Sequence, residues 1–310
     1  DNLVNFFPRV YPERIMSYVV KATIMGVDLP YLFRTNQEGW TILDKYWDEL
    51  NAKTIKESGN RIIGWLDLGY RHVCNSKRPI RTIEDLKGLK IRVPNNPVMI
   101  NTFRAWGCEP TPLAWDETFN ALQQKVVDGQ ENSYVVFASN KFEEVQKYMT
   151  ELRYKLQIIV MVVNDTWLKK QPADIQQAIL EGGRLATKHN REMIMAMEAR
   201  LKPAMKKASV EILDKPEDEN VWEEKAMALW PDLYPKIGNL DLLDKMMADM
   251  HRSARKRKSM KTFFTLIKVD YLYFYVLLRR HASEKVRSFM NVQRAFLEKS
   301  ATMAMDFRLF

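Results

Sequence analysis

Cysteine, histidine and glycine are scarce in this chain, and each shortage closes off a chemistry. Two cysteines, Cys74 and Cys108, make neither a metal cluster nor a disulfide framework, and two unpaired thiols are the simplest expectation. The four histidines, His72, His189, His251 and His281, have no His-Glu-x-x-His spacing and no cysteine partners, which argues against zinc. The 11 glycines build no nucleophile turn of the Gly-x-Ser-x-Gly kind, no phosphate-cradling loop and no G-x-G-x-x-G fingerprint. His189 falls inside a long helical pattern and reads as a surface residue. Neighbouring carboxylates such as Glu84-Asp85 and Glu143-Glu144 read as ordinary helix-face charges. No cofactor is called for.

Long apolar runs are also missing. The longest, "FFTLIKVDYLYFYVLL" at 263–278, has 16 residues and is interrupted by Lys268 and Asp270. A spanning helix needs about 20 apolar residues, so this run is too short. It follows the basic "RSARKRKSMK" and fits a packing segment, appended sequence, or a segment lying on an anionic membrane surface. The net charge of +9 belongs to this region. Residues 252–310 hold 14 of the 48 basic and 4 of the 39 acidic residues, so the remainder carries 34 against 35. The body therefore has no electrostatic footprint for nucleic acid. The chain starts at Asp1 with no charged segment leading into an apolar one, which reads as a processed protein or a fragment.

What is present is globular: 46% hydrophobic and 28% charged residues over 310 positions allow two domains with buried cores. "VDLPYLF" at 27–33 reads as a strand end entering a loop. Trp40, Leu43, Trp47 and Leu50 recur at helical spacing up to Gly59. "RIIGWLDLG" reads as a buried strand, and Thr82 with Asp85 as a capping box for a short turn closed by Gly88. In "LKGLKIRVPNNP", alternation places Leu89, Ile91 and Val93 on one face and Arg92 on the other, and Pro94 stops the ladder. A helix from Pro97 to Trp106 follows. Asp116 is positioned to cap the next helix, with core face Phe119, Leu122 and Val126. "KLQIIVMVVN" reads as a strand long enough to pass between two sheets. The helical pattern from 173 to about 209 contains Gly182-Gly183, a plausible bend, and helical segments run on to about 254. There is no internal repeat. Strand and helix alternate, which predicts an α/β protein with largely parallel pairing.

The chemistry left is recognition. Arg71 follows a strand, Arg92 ends the next, Trp115 precedes a helix and Asn132 comes after a helix stop. A strand's carboxyl end is where ligands bind in open α/β sheets. A guanidinium fork matches a carboxylate bidentately, an amide can orient it, and an indole can cover an apolar or sugar-ring face.

Four stretches in order, "DLKGLKIRVP", "PTPLAWDETFNALQ", "VVDGQEN" and "NKFEEVQKY", with "VDLPYLF" upstream, resemble the DctP-type substrate-binding proteins of TRAP transporters. The resemblance spans about 27–254. It implies a bilobed, periplasmic-binding-protein-like α/β fold with a long inter-lobe connecting helix. It also implies a periplasmic receptor, not an enzyme, that closes on an organic acid and delivers it to TRAP membrane permease subunits. By resemblance, Arg92 grips the ligand carboxylate and Asn132 lies beside it. Trp115 packs over the ligand, Arg71 gives a second carboxylate contact, and Asn95 belongs to the wall. The family's first strands and helix have no counterpart here, so the first lobe reads as incomplete and the chain as truncated at its N-terminus. The implied division is 1–68, the rest of the first lobe; 69–157, the second lobe with the carboxylate site; 158–254, the connecting helix and shared helical part; and 255–310, a basic and apolar tail outside the resemblance. Two arginines suit a dicarboxylate, while Trp115 and the amides suit a sugar acid. A membrane-surface role for the tail is the competing reading.

Overall fold

The computed structural model describes residues 27–237 and 239–252, within the compact unit Asp1–Arg255. The irregular opening and the tail beyond 252 lie outside the described residues. The first described stretch, "VDLPYLF", makes a short turn of 3-10 helix and bends instead of the expected strand end, as Pro30 and the positive φ of Tyr31 (59°) require. The single helix expected over 37–58 is two helices, α1 (Asn36–Lys45) and α2 (Trp47–Ser58), divided at Tyr46. Thr35 caps α1 through the backbone N–H of Glu38 at 3.0 Å, and Gly59 ends α2 in the left-handed region.

β1 (Asn60–Tyr70) pairs antiparallel with β7 (Leu156–Asn164) as a two-stranded sheet. A register shift between Ile62 and Gly64 changes the phase of alternation, so Ile62 and Trp65 both turn inward. β7 makes this one pairing and does not continue into the second sheet. That sheet has six strands in the order β4-β3-β5-β2-β6-β8, namely β2 (His72–Asn75), β3 (Lys90–Val93), β4 (Glu109–Pro112), β5 (Gly129–Asn132), β6 (Tyr148–Thr150) and β8 (Glu211–Leu213). The expectation of largely parallel pairing is corrected. β3 runs parallel to β4 and β5, and β6 to β8, but β2 is antiparallel to both of its neighbours.

Between the strands lie α3 (Pro97–Ala105), α4 (Thr118–Gln123) and α5 (Tyr134–Ser139). Asn96 caps α3, accepting the Val98 N–H at 2.8 Å. Before β3, Asp85 accepts the backbone N–H groups of Arg81 and Thr82 at 2.9 Å, closing the capping box. Asp116 does not cap α4. The position before the helix is Glu117, without a side-chain bond, and the helix ends at Gln123, leaving Val126 exposed.

After β7 come α6 (Asp165–Lys169) and the 35-residue α7 (Ala173–Lys207), then α8 (Glu219–Ala228), α9 (Trp230–Leu233) and α10 (Leu240–Asp249). α7 carries Asp174 in its first turn and Lys206 and Lys207 in its last, as the helix dipole favours. One core gathers α1, α2, β1, β7 and α10 around Leu43, Leu50, Trp65 and Met246. Two further clusters cover the six-stranded sheet, one around Ile91, Phe103, Trp106 and Trp222, the other around Phe137, Phe142 and Met149.

α7 lies against the outer edge of β1. Trp65 N–H donates to Thr187 Oγ1 at 3.0 Å, Asp67 N–H donates to Asn190 Oδ1 at 2.7 Å, and Asn190 Nδ2 donates to the Asp67 carbonyl at 3.0 Å. Helix side chains thus satisfy an edge that would otherwise be open. The approach is close enough that a Cβ on Gly183 would stand 2.1 Å from the Ile63 carbonyl oxygen, whereas one on Gly182 would meet nothing within 4 Å. The paired glycines, expected as a bend, sit in unbroken helix, and Gly183 is a contact point. Adjacent glycines should therefore respond with opposite signs. Gly183→Ala should destabilise by roughly 1–3 kcal/mol through overpacking against backbone. Gly182→Ala should stabilise by up to about 1 kcal/mol through helix propensity. Thermal melts of the two variants check this, and equal shifts would rule out the close contact.

Candidate functional site

Parallel pairing brings the carboxyl ends of β3, β4 and β5 to one side of the sheet. Arg92 pairs in register with Thr111 on β4 and Gln130 on β5. Residues paired this way share a face, so Arg92, Gln130 and Asn132 belong to one face of the sheet. Asn132, expected in a loop after a helix stop, ends strand β5 instead. "GQEN" has no apolar letter, yet all four residues are buried.

Arg92 is 3% exposed. Its Nε and Nη2 donate to the Leu113 carbonyl at 3.1 and 2.7 Å, and its guanidinium carbon lies 5.4 Å from the centre of the Trp115 ring. Trp115 is 43% exposed and meets Phe142 edge-on at 5.8 Å; Phe142 in turn stacks on Phe119. Arg92 has no ion pair among the described residues. Burial pushes its pKa down to about 10, with Glu131 opposing and Arg71 adding to the shift.

Arg71 occupies the junction between β1 and β2, its backbone N–H donating to the Lys155 carbonyl at 2.9 Å. β2 runs antiparallel to β5, so Arg71, just before β2, lies at the end of the sheet where β5 finishes. Its Nε and Nη2 both go to the Glu131 carboxylate, and Nη2 also reaches the Glu131 carbonyl at 2.7 Å. The Tyr154 hydroxyl donates to the same carboxylate. Burial works against the Arg71 charge, but Glu131 outweighs it and raises the pKa. Burial and Glu131 together raise Tyr154, which stays a neutral donor. Nε and Nη2 of Arg71 are thus engaged within the protein.

Asn132 is buried and donates through Nδ2 to Gln130 Oε1 at 3.0 Å, opposite His72 in the ladder. Asn95 is exposed on the turn after β3, and its side chain makes no hydrogen bond among the described residues. Its neighbour Asn96 does the structural work there, donating to Asp28 at 3.0 Å, and Asp28 pairs with buried Lys155 at 2.7 Å. The structure thus brings Arg92 and Trp115 into contact, sets Asn132 on the same face, holds Arg71 on the neighbouring Glu131, and leaves Asn95 exposed on the turn after β3. Sequence reasoning missed Glu131, Tyr154, Gln130 and the Leu113 carbonyl. The available signal was an acid directly before Asn132, in a chain region already holding two candidate arginines.

Cys74 and Cys108 are free and buried, and burial raises both thiols. Among the described residues no three His, Cys, Asp or Glu side chains are grouped to hold a metal ion, and no helix is long and apolar enough to cross a membrane.

The two-sheet α/β scaffold is that of bilobed periplasmic solute-binding proteins. Residues 12–236 match the family model of bacterial extracellular solute-binding proteins, family 7 (DctP), and the chain belongs to that family. A TRAP periplasmic solute-binding protein from Rhodobacter sphaeroides, in an apo open form, is 37% identical at a TM-score of 0.65, with 76% of each chain covered. Another, from Ochrobacterium anthropi with bound L-fuconate, is 32% identical at a TM-score of 0.65, covering 72% of this chain and 73% of that one. The 2,3-diketo-L-gulonate-binding periplasmic protein YiaO of Escherichia coli is 31% identical over 188 residues, 60% of this chain and 57% of its own length. The chain spans little more than half the length of the curated relatives it matches.

His72 gives a pH prediction. It is buried edge-on to Tyr134, its Nδ1 accepts the Arg153 N–H at 3.4 Å, and burial pushes its pKa down to about 3 from 6.5. The unfolded chain therefore takes up the proton first, and stability falls as pH drops from about 6.5 toward 3. Buried Asp67 and half-buried Glu198, both raised by loss of solvation, have the opposite sign, since the folded state protonates first. His72→Phe removes the first effect alone. Its melting temperature should fall less than that of the wild type between about pH 6.5 and 4.5. Matching slopes would remove His72 from the account.

Proposed function

We propose that this protein captures an organic acid in the periplasm through a salt bridge from Arg92 to the ligand carboxylate, and delivers it to TRAP membrane permease subunits. The observation that carries the reading is a guanidinium 3% exposed, held by one carbonyl and one indole, with no ion pair among the described residues. A carboxylate leaving water loses strong hydration, and charge-assisted hydrogen bonds from arginine replace it. In this reading Trp115 shields the pair from water and Asn132 contributes an amide beside it. Asn95, on the exposed turn, is left as part of the outer wall.

Relatives support an acid as cargo. Besides the L-fuconate complex, a TRAP solute-binding protein from Polaromonas, 27% identical, has bound D-erythronate, and one from Sulfurospirillum deleyianum, 26% identical, has bound succinate. Each of these ligands carries at least one carboxylate. In the proposed division, 69–157 grips the acid, 1–68 belongs to the opposing lobe, and 158–254 links the two. The activity is binding and release, without turnover.

Removing one partner of a buried charge pair costs about 2–5 kcal/mol. Arg92→Ala should therefore weaken acid binding by roughly 30-fold or more. Arg92→Lys should also weaken it, because an ammonium cannot copy the fork. Calorimetric titration of an acid panel into wild type and both variants checks this, and unchanged affinities would remove Arg92 from the site.

A further inference from the structure

We propose that Glu198, in the second half of α7, is a latch on the pivot between the two sheets: its carboxylate holds the stretch through which β1 passes into β2. The inference concerns the frame of the molecule and is independent of what the site carries.

The chain passes from one sheet to the other at two adjacent places. β1 runs through Arg71 into β2, and β6 returns through residues 151–155 into β7. The Arg71 N–H donates to the Lys155 carbonyl and joins the two. Each crossing carries a residue in the left-handed region, Gly69 (φ 87°) on the first and Arg153 (φ 47°) on the second. A pivot of this kind is a few residues at element ends that absorb a change of backbone angle. The first crossing also begins with a bulge. From Asp67 to Tyr70 β1 advances three residues, while its partners on β7 go from Ile158 to Leu156, only two. Gln157, opposite the bulge, keeps a buried Oε1 without a partner among the described residues.

Two carboxylates hold the bulge. The Gly69 N–H donates to Asp67 Oδ1 at 2.6 Å, and the next N–H, that of Tyr70, donates to Glu198. Asp67 belongs to the strand itself and is fixed by Asn36 and Trp40. Glu198 comes from the helix, and a Cβ on Gly69 would collide with its Oε1. Before Glu198, α7 is tied to β1 through Thr187 and Asn190. After it, Lys202 pairs with Glu151 at 2.7 Å and with Asp214 at 3.1 Å, the residues that directly follow β6 and β8. The helix is therefore anchored on both sheets, and Glu198 meets the crossing between the anchors. Burial, Asp67 and Glu151 work against its charge, and Arg153 favours it. Glu151 is already engaged by Lys202 and the Tyr134 hydroxyl. The Arg153 guanidinium lies 4.4 Å from the centre of the Tyr70 ring, so one cation links the second crossing to the first and to the latch. Turning one sheet against the other has to draw the Tyr70 N–H off Glu198 or carry α7 along. The latch therefore holds the described arrangement before any cargo arrives.

The test compares the full chain with Glu198→Gln and Glu198→Ala. Spin labels are placed through Lys56→Cys on α2 and Glu144→Cys near β6, both exposed; Cys74 and Cys108 are buried and stay unlabelled. The wild type should show one dominant label separation. Glu198→Ala should raise the population of other separations at least about fivefold, and Glu198→Gln, which keeps an acceptor without the charge, should raise it less. Hydrogen exchange at the Tyr70 amide should quicken in the same order, by about tenfold or more for Glu198→Ala. Unchanged separations and unchanged Tyr70 exchange in Glu198→Ala, even with a lower melting temperature, would make Glu198 an ordinary packing residue and overturn the latch. If Glu198→Ala does not fold, the other two proteins decide: unprotected Tyr70 in the wild type, or separations in Glu198→Gln equal to those of the wild type, overturns it as well. No acid is added, so the result is separate from that of the Arg92 titrations.

Discussion

Two guanidiniums at one end of the sheet, on either side of β5, repel each other, and burial makes the repulsion worse. The protein resolves this by giving one of them, Arg71, a permanent anion in Glu131 and leaving the other with a carbonyl. The rest of the site follows from that asymmetry. Arg71 is raised, despite its burial, and acts as a structural cation joining β2, β5 and Tyr154. Arg92 is lowered and keeps its charge available. Glu131 acts on both arginines at once, as the bonded partner of Arg71 and as an opposing charge to the burial of Arg92.

The scaffold keeps the asymmetry in place. β3 is flanked by two parallel neighbours, so its carboxyl end opens beside theirs, and Leu113 comes directly after β4 to meet Arg92. The aromatic set of Trp115, Phe119 and Phe142 packs beneath the α4 region and fixes the indole against the guanidinium. At the other end of the same strand turn, Asn96, Asp28 and Lys155 tie the first described loop to the start of β7. The site is thus set by strand register and by short polar links, without help from a metal ion or a disulfide among the described residues.

Much of this was legible in the sequence where apolar periodicity or capping chemistry is strong. β1, β3, α3, α7 and the Thr82–Asp85 box all follow from local rules. Arg92, Trp115 and Asn132 stood out because polar and aromatic residues at strand ends need a reason. The misses have physical causes. "GQEN" looks like a loop because its four buried side chains are polar, and only tertiary contacts satisfy them. β8 is three residues long and follows a helix, which leaves no alternation to read. The break at Tyr46 interrupts a helical spacing that continues on both sides of it. Arg71 looked equivalent to Arg92 because strand ends reveal position but not partner. Which group a guanidinium meets depends on residues about 60 and 21 positions further along the chain, Glu131 for Arg71 and Leu113 for Arg92.

The seam between α7 and β1 has a consequence for how this scaffold can grow. Thr187 and Asn190 already occupy the backbone groups along that border, and Gly183 rests on the peptide of Ile63. An additional ribbon of chain cannot dock there without evicting the helix. The two-stranded sheet is closed on that flank, and any enlargement has to proceed from the side of β7.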